Sequence, residues 1–188
     1  LYVASGGNEL YGNDNFLLDR IYMNDGKGNF SKSLQSLPPI FQNKSCVSVS
    51  DIDKDGDKDI FVGVLADAKA YGIPQTSYLL INNGNGVFSI AGNDIIQLSN
   101  LGIVTDAAFS DIDNDGLDDL IVTGEWMPMT IYRNKSGRFE KTAIPHSTGL
   151  WQTILATDVN GDGYADILAG NWGDNPKLWA GKDGPLTV

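Results

Sequence analysis

A nine-residue acidic phrase occurs three times in this chain, each time directly before an apolar run. It reads DIDKDGDKD at 51–59, DIDNDGLDD at 111–119 and DVNGDGYAD at 158–166. The apolar runs that follow are IFVGV, LIVTG and ILAGN, and short runs of small and apolar residues (CVSVS, DAAFS, ILAT) come before. A strand–loop–strand phrase that recurs along a chain implies a repeat architecture, in which each unit buries its apolar face against the next. Downstream of each phrase, a third apolar segment enters a Gly-rich turn: YLLINNGNGVF, IYRNKSGRF and LWAGKDGPL. Turns of this kind between apolar runs signal hairpins, and a fourth short segment follows each. The unit is therefore four strands, A to D, with the acidic loop between A and B. At the N-terminus, LYVASGG matches a strand B and IYMNDGKGNF a strand C with its turn.

This spacing predicts an all-β chain: a β-propeller segment of about four four-stranded blades. The expected divisions are a partial blade at 1–43, blades at 44–101 and 102–148, and a shortened blade at 149–188. A β-sandwich with acidic turns is the competing reading. The stretch LADAKAYG at 65–72 is short but suits a helical turn. A ring of six to eight such blades needs more chain than 188 residues. The reading therefore expects association with further blades or copies, and a natural protein longer than this segment.

The three loops align residue by residue. Position 1 is Asp51, Asp111 and Asp158; position 3 is Asp53, Asp113 and Asn160; position 5 is Asp55, Asp115 and Asp162; position 9 is Asp59, Asp119 and Asp166. Gly occupies position 6 throughout, and position 7 (Asp57, Leu117, Tyr164) varies as a residue does when only its carbonyl serves. Hard cations such as Ca²⁺ take six to eight oxygen ligands at about 2.3–2.6 Å. Clustered carboxylates without a cation repel one another, whereas zinc and copper call for thiolate or imidazole. Three Ca²⁺ sites are the expectation. By carboxylate count the third, with Asn160, is the weakest. Loops without a bidentate Glu at position 12 suit the weak extracellular range of about 10⁻⁴–10⁻³ M, which places the chain outside the cell, at the cell surface or in the periplasm.

On these loops the chain resembles the FG-GAP/VCBS repeat proteins, whose metal loops read DxDxDGxxD and whose propeller is similar to the head of integrin α subunits. The stretch at 104–134 resembles bacterial members that carry an ASPIC/UnbV-type domain. The resemblance implies a calcium-bearing propeller in a binding or adhesion role.

Composition excludes several other classes. With 24 acidic residues against 13 basic ones, and a net charge of −11, the surface repels nucleic-acid phosphates and anionic lipid. No run is apolar and long enough for a membrane-spanning helix. Cys46 is the only cysteine and reads as a small core residue; His146 is the only histidine and reads as an exposed loop residue. No nucleophile motif or phosphate-cradling loop is present, so a non-enzymatic module is expected. The alternatives are the propeller domain of a polysaccharide-processing enzyme and a purely architectural module. In an up-and-down unit the A–B and C–D loops share one face, and the B–C and D–A loops share the other. Candidate ligand residues gather on that second face: Glu9, Glu125, Trp126, Trp151 and Trp172, flanked by Asn8, Asn171 and Asp174. A protein or a glycan is the expected partner, and burial of the indoles between blades is the competing reading. Trp179, in a strand C, reads as core or sheet-packing.

Overall fold

The structure, a computed structural model, describes residues 1–7, 9–34 and 36–173. Among these are 13 strands and one short 3-10 turn, Asn15–Leu17. Strands β1 (Tyr2–Val3), β2 (Arg20–Asn24) and β3 (Phe30–Lys32) form the first antiparallel sheet. The second sheet is β4 (Asn43–Ser50), β5 (Asp59–Ala66), β6 (Tyr78–Asn82) and β7 (Phe88–Ile90), paired in chain order. The third contains β8 (Ile103–Ser110), β9 (Asp119–Met127), β10 (Thr130–Asn134) and β11 (Phe139–Ala143), extended by β12 (Gly149–Thr157) and β13 (Asp166–Asn171). The order is thus B-C-D, A-B-C-D, A-B-C-D, A-B, and the acidic phrase joins A to B each time. The C and D strands expected at the C-terminus, with Asp174 and Trp179, lie outside the described residues, as does Asn8.

Strand B of each complete unit has the most continuous apolar sequence because both of its faces are covered. In β5 the side chains alternate between two cores. Phe61 joins Leu79, Val104, Leu120, Val122 and Tyr132 on the side of the third unit. Ile60 and Val62 join Leu80 and Ile40 on the side of the first, with Tyr2 packed against them. This period of two is what sends successive side chains to opposite faces of a strand. Burying one such side chain contributes about 1.5–3 kcal/mol. Close approach of the sheets depends on Gly63: a Cβ there would lie 2.5 Å from Cys46 Sγ and 2.8 Å from Val104 Cγ1. Cys46 packs against this core, and burial pushes its thiol up to about 12.

One expectation is corrected. Residues 65–72 form no helical turn: β5 runs on to Ala66, and a tight turn bridges Asp67 to Ala70. The Asp67 carboxylate accepts the Lys69 N–H at 2.7 Å there, offering the backbone an alternative to helix. The third and fourth units are joined at their edges. β9 outruns β10, whose pairing reaches only to Val122, and the start of β12 takes up the bare edge, pairing Gly149 with Met127 and Leu150 with Glu125. Unpaired backbone groups seek such partners.

Candidate functional site

The three acidic loops fold on one template of side-chain-to-backbone hydrogen bonds. At position 1, Asp51 accepts the N–H of Gly56 (3.2 Å), Asp111 that of Gly116 (2.8 Å) and Asp158 that of Gly163 (2.8 Å). At position 5, Asp55, Asp115 and Asp162 each accept the N–H two residues on, at 2.9–3.0 Å. Position 4 lies in the left-handed region in all three loops: Lys54 at φ 63°, Asn114 at 58° and Gly161 at 80°. This wraps the carboxylates inward. Oxygens of Asp51, Asp53 and Asp55 lie within 4.8 Å of one another, as do those of Asp111, Asp113 and Asp115. In the third loop Asn160 takes the place of a carboxylate and donates to Asp162 at 2.9 Å.

The loops differ in how their charge is met. In the first, Asp51 Oδ1 and Asp57 Oδ1 are enclosed and have no hydrogen-bond partner. Local burial, with repulsion from Asp55, Asp53 and Asp51, pushes the Asp57 carboxyl up. Enclosed oxygens without donors fit a bound cation. In the second loop two side chains of the protein supply positive charge. Arg133 Nη1 lies 2.7 Å from Asp113 and 3.4 Å from Asp119, and Lys135 Nζ lies 3.6 Å from Asp115 and 3.9 Å from Asp113. In the third, backbone N–H groups, chiefly that of Gly163, hold the Asp158 carboxyl below the usual carboxylate range.

Position 9 ties each loop to the sheet. Asp59 is 1% exposed and accepts the N–H groups of Asn82 (2.9 Å) and Ile52 (3.2 Å). Asp119, fully buried, accepts that of Asn134 at 2.7 Å. Asp166 accepts that of Val159 at 3.1 Å. Burial pushes the Asp59 and Asp119 carboxyls up, and the N–H donors oppose it.

Sequence reasoning missed a partner residue at the end of strand C. Asn24, Asn82 and Asn134 each accept N–H groups of their own C–D turn, from Gly26, Gly86 and Gly137. Asn134 is wholly buried, and its amide donates to the Ile52 carbonyl of the preceding unit at 2.7 Å and to Asp118 at 3.2 Å. The signal was an Asn closing IYMN, YLLIN and TIYRN. A Cβ on Gly137 would lie 3.4 Å from Asp53, and one on Gly84 3.1 Å from Asp57. Asn114 reaches the Gly163 carbonyl at 2.9 Å. The A–B loops and C–D turns therefore share a face.

The other connections carry the aromatics. Trp126 and Trp172 are 43% and 52% exposed, so neither is buried between units. Trp126 belongs to β9 rather than to the loop after it; it is the unmatched residue where β9 meets β12, with φ 54°. Tyr71, which the sequence did not single out, packs edge-on against it with ring centres 5.8 Å apart. The Tyr71 hydroxyl donates to Glu125, whose other oxygen accepts from Gln152 at 3.2 Å. Burial and the Glu125 hydrogen bond push the Tyr71 hydroxyl up to about 12. Trp151 stands in β12, half-buried, with its indole N–H donated to the Ser147 carbonyl at 2.7 Å. Glu9 is exposed; the contacts of Glu125 run to Tyr71 and Gln152. His146 is exposed, on a turn with φ 58°.

No helix among the described residues is long and apolar enough to cross a membrane. Among curated proteins, integrin alpha-PS2 of Drosophila melanogaster is 28% identical over an alignment of 154 residues, with 68% of this chain and 10% of that protein covered. Among solved structures, an Agrocybe aegerita lectin, described as specifically recognising non-reducing terminal N-acetylglucosamine, superposes with a TM-score of 0.54. That match has 19% identity and covers 81% of this chain and 41% of the lectin chain, so it speaks to the fold alone. The chain thus spans about a tenth of its integrin relative and under half of the lectin. The profile of the FG-GAP-like repeat matches residues 1–62 and 111–169, spans that contain all three acidic loops. On that match, and on the repeated loop that the sheets present, this chain belongs to the FG-GAP-like repeat family.

Proposed function

We propose that this chain is a calcium-stabilised, non-enzymatic binding module that works outside the cell, at its surface or in the periplasm, and that takes a protein or glycan ligand on the face away from the acidic loops. The observation that carries the reading is the division of labour between the two faces. One is filled by inward-turned carboxylates, with Asp51 Oδ1 and Asp57 Oδ1 enclosed and unpartnered. The other presents Trp126 and Trp172 to solvent beside Glu125.

Positions 1, 3, 5 and 9 and the carbonyl at position 7 would hold one Ca²⁺ per loop, which supplies charge neutralisation and ties strand A to strand B. The protein's own part is to pre-turn the loops through their Asx contacts. Position 9 anchors each one to the sheet.

Equilibrium dialysis in millimolar Ca²⁺ tests the first half, with two to three bound equivalents expected. Fewer than two equivalents refutes it. For the second half, Trp126→Ala with Trp172→Ala leaves calcium content and melting unchanged, because both indoles are exposed, and removes ligand binding. Retained binding refutes the face assignment.

A further inference from the structure

Each of the four units places at least one exposed aromatic in or beside its B–C connection, and the first also has Phe16, 76% exposed. Tyr11 is 61% exposed, Tyr71 58%, Trp126 43% and Trp172 52%. Contacts join these positions into a series that crosses unit boundaries. Lys69, on the same connection as Tyr71, sits over the Tyr11 ring with its ammonium 3.6 Å from the centre. Tyr71 meets Trp126 edge-on. Trp126 lies where β9 joins β12, and the backbone N–H of Trp172 donates to the Leu150 carbonyl of that strand at 3.1 Å.

Trp126 is held out by its backbone. A non-glycine residue in the left-handed region is disfavoured because its Cβ crowds the following carbonyl oxygen. Bulges with such residues re-aim side chains at functional sites. Here the bulge presents the indole to solvent when an extended strand would have alternated it toward a sheet face.

We infer that Tyr11, Tyr71, Trp126 and Trp172 form one recognition track across consecutive units, and that its ligand is an extended, uncharged glycan chain. This rests on the reading that this face is the binding face. Sugar rings have apolar C–H faces that stack on aromatic planes, and hydroxyls that need donors and acceptors at the ring edge. The track has both: Glu125 and Gln152 flank the Tyr71–Trp126 pair, and Asn171 adjoins Trp172 in sequence. A protein partner favours a compact, desolvated cluster of anchors, ringed by contacts that exclude water. These aromatics are instead drawn out in a row with polar groups between them. The Glu125 carboxylate and the net charge of −11 disfavour acidic glycans. Placement of the row on four successive units calls for a ligand of several sugar residues.

The test uses two ladders of neutral β-1,4-linked oligomers, of glucose and of N-acetylglucosamine, one to six residues long. Calorimetry and tryptophan fluorescence follow binding to the intact chain in Ca²⁺. Affinity is expected to rise at least ~tenfold from monomer to tetramer on one ladder, as successive rings add stacking contacts. Tyr11→Ala and Trp172→Ala, at the ends, shorten the length dependence, and Trp126→Ala lowers affinity at every length. Unchanged Ca²⁺-dependent melting of each variant shows that it is folded. Binding with no length dependence overturns the track and leaves the face. No response to either ladder overturns the glycan assignment and leaves the face assignment to the double-tryptophan test. Oligomer binding indifferent to all four substitutions overturns this inference and the face assignment together.

Discussion

Arg133→Met isolates what the second acidic loop does with its own cations. The guanidinium lies 2.7 Å from Asp113 and 3.4 Å from Asp119, with about a third of the Arg133 and Asp113 side chains exposed. A unit-charge pair at about 4 Å is worth ~1 kcal/mol in water and ~4 kcal/mol at an effective dielectric of about 20. Exposed pairs measure only ~0.2–1 kcal/mol. The contact with wholly buried Asp119 puts Arg133 near the top of that range, at ~1 kcal/mol. Two consequences follow from one cause. Without calcium, the variant leaves the Asp111, Asp113 and Asp115 cluster less compensated, and the melting temperature falls by about 2–4 °C, the shift that ~1 kcal/mol gives in a chain of this size. With calcium, the guanidinium is a competitor that the ion has to displace, so its removal tightens the second site about fivefold and the difference in melting disappears. Methionine keeps the apolar stem, which separates charge from packing. Differential scanning calorimetry in EDTA and in 5 mM Ca²⁺, with a calcium titration, reads both. Lys135→Met, at 3.6–3.9 Å and half exposed, gives a smaller effect in the same direction. Equal destabilisation with and without calcium, and an unchanged isotherm, would refute the competition. Confirmation would make the second loop weaker than its four carboxylates suggest, and would reorder a ranking made on Asn160 alone.

Other substitutions probe the loops and core separately. Asp53→Ala should lower the melting temperature in calcium and leave it nearly unchanged in EDTA, because its main role is to meet the ion; equal loss in both media counts against a metal role. Asn134→Ala leaves the Ile52 carbonyl and the Gly137 N–H without their partner, and urea unfolding should show a loss of about 1–3 kcal/mol per buried group left unsatisfied. The partly exposed Asn82→Ala should cost less. At alkaline pH the half-buried Cys46 thiol, pushed up to about 12, stays protonated in the folded chain while the unfolded thiol ionises near ~8.5. The stability it contributes is complete below that lower value and is lost as pH rises toward the upper one. Cys46→Val should flatten this limb of the stability profile, and a profile identical to that of the parent chain would contradict the burial argument.

Where the fold was legible, local chemistry repeated. Asp, Asn and Gly at fixed offsets, followed by β-branched and aliphatic runs, dictate strand–loop–strand wherever they occur, and three copies in one chain leave few architectures. The loop template was equally readable, because Asx contacts span two to five residues and require nothing from the rest of the chain. Asn24, Asn82 and Asn134 were visible in the sequence but passed for turn chemistry, since the value of Asn134 lies in the carbonyl of Ile52, 82 residues away.

What the sequence determined by itself is therefore the unit, its strand order, the loop that joins A to B, and the sorting of connections onto two faces. All of these depend on side-chain periodicity and on short-range hydrogen bonding. Tertiary structure decided what depends on neighbours. It supplied Arg133 and Lys135 to one acidic loop and left enclosed oxygens in another, because strand C brings different residues beside loops of nearly the same sequence. It also drew β12 onto the bare end of β9, which merged two units and turned Trp126 outward through a residue with φ 54°. Tyr71 reached Trp126 and Glu125 only because separate units pack side by side, and pairing across that distance is written in no local pattern.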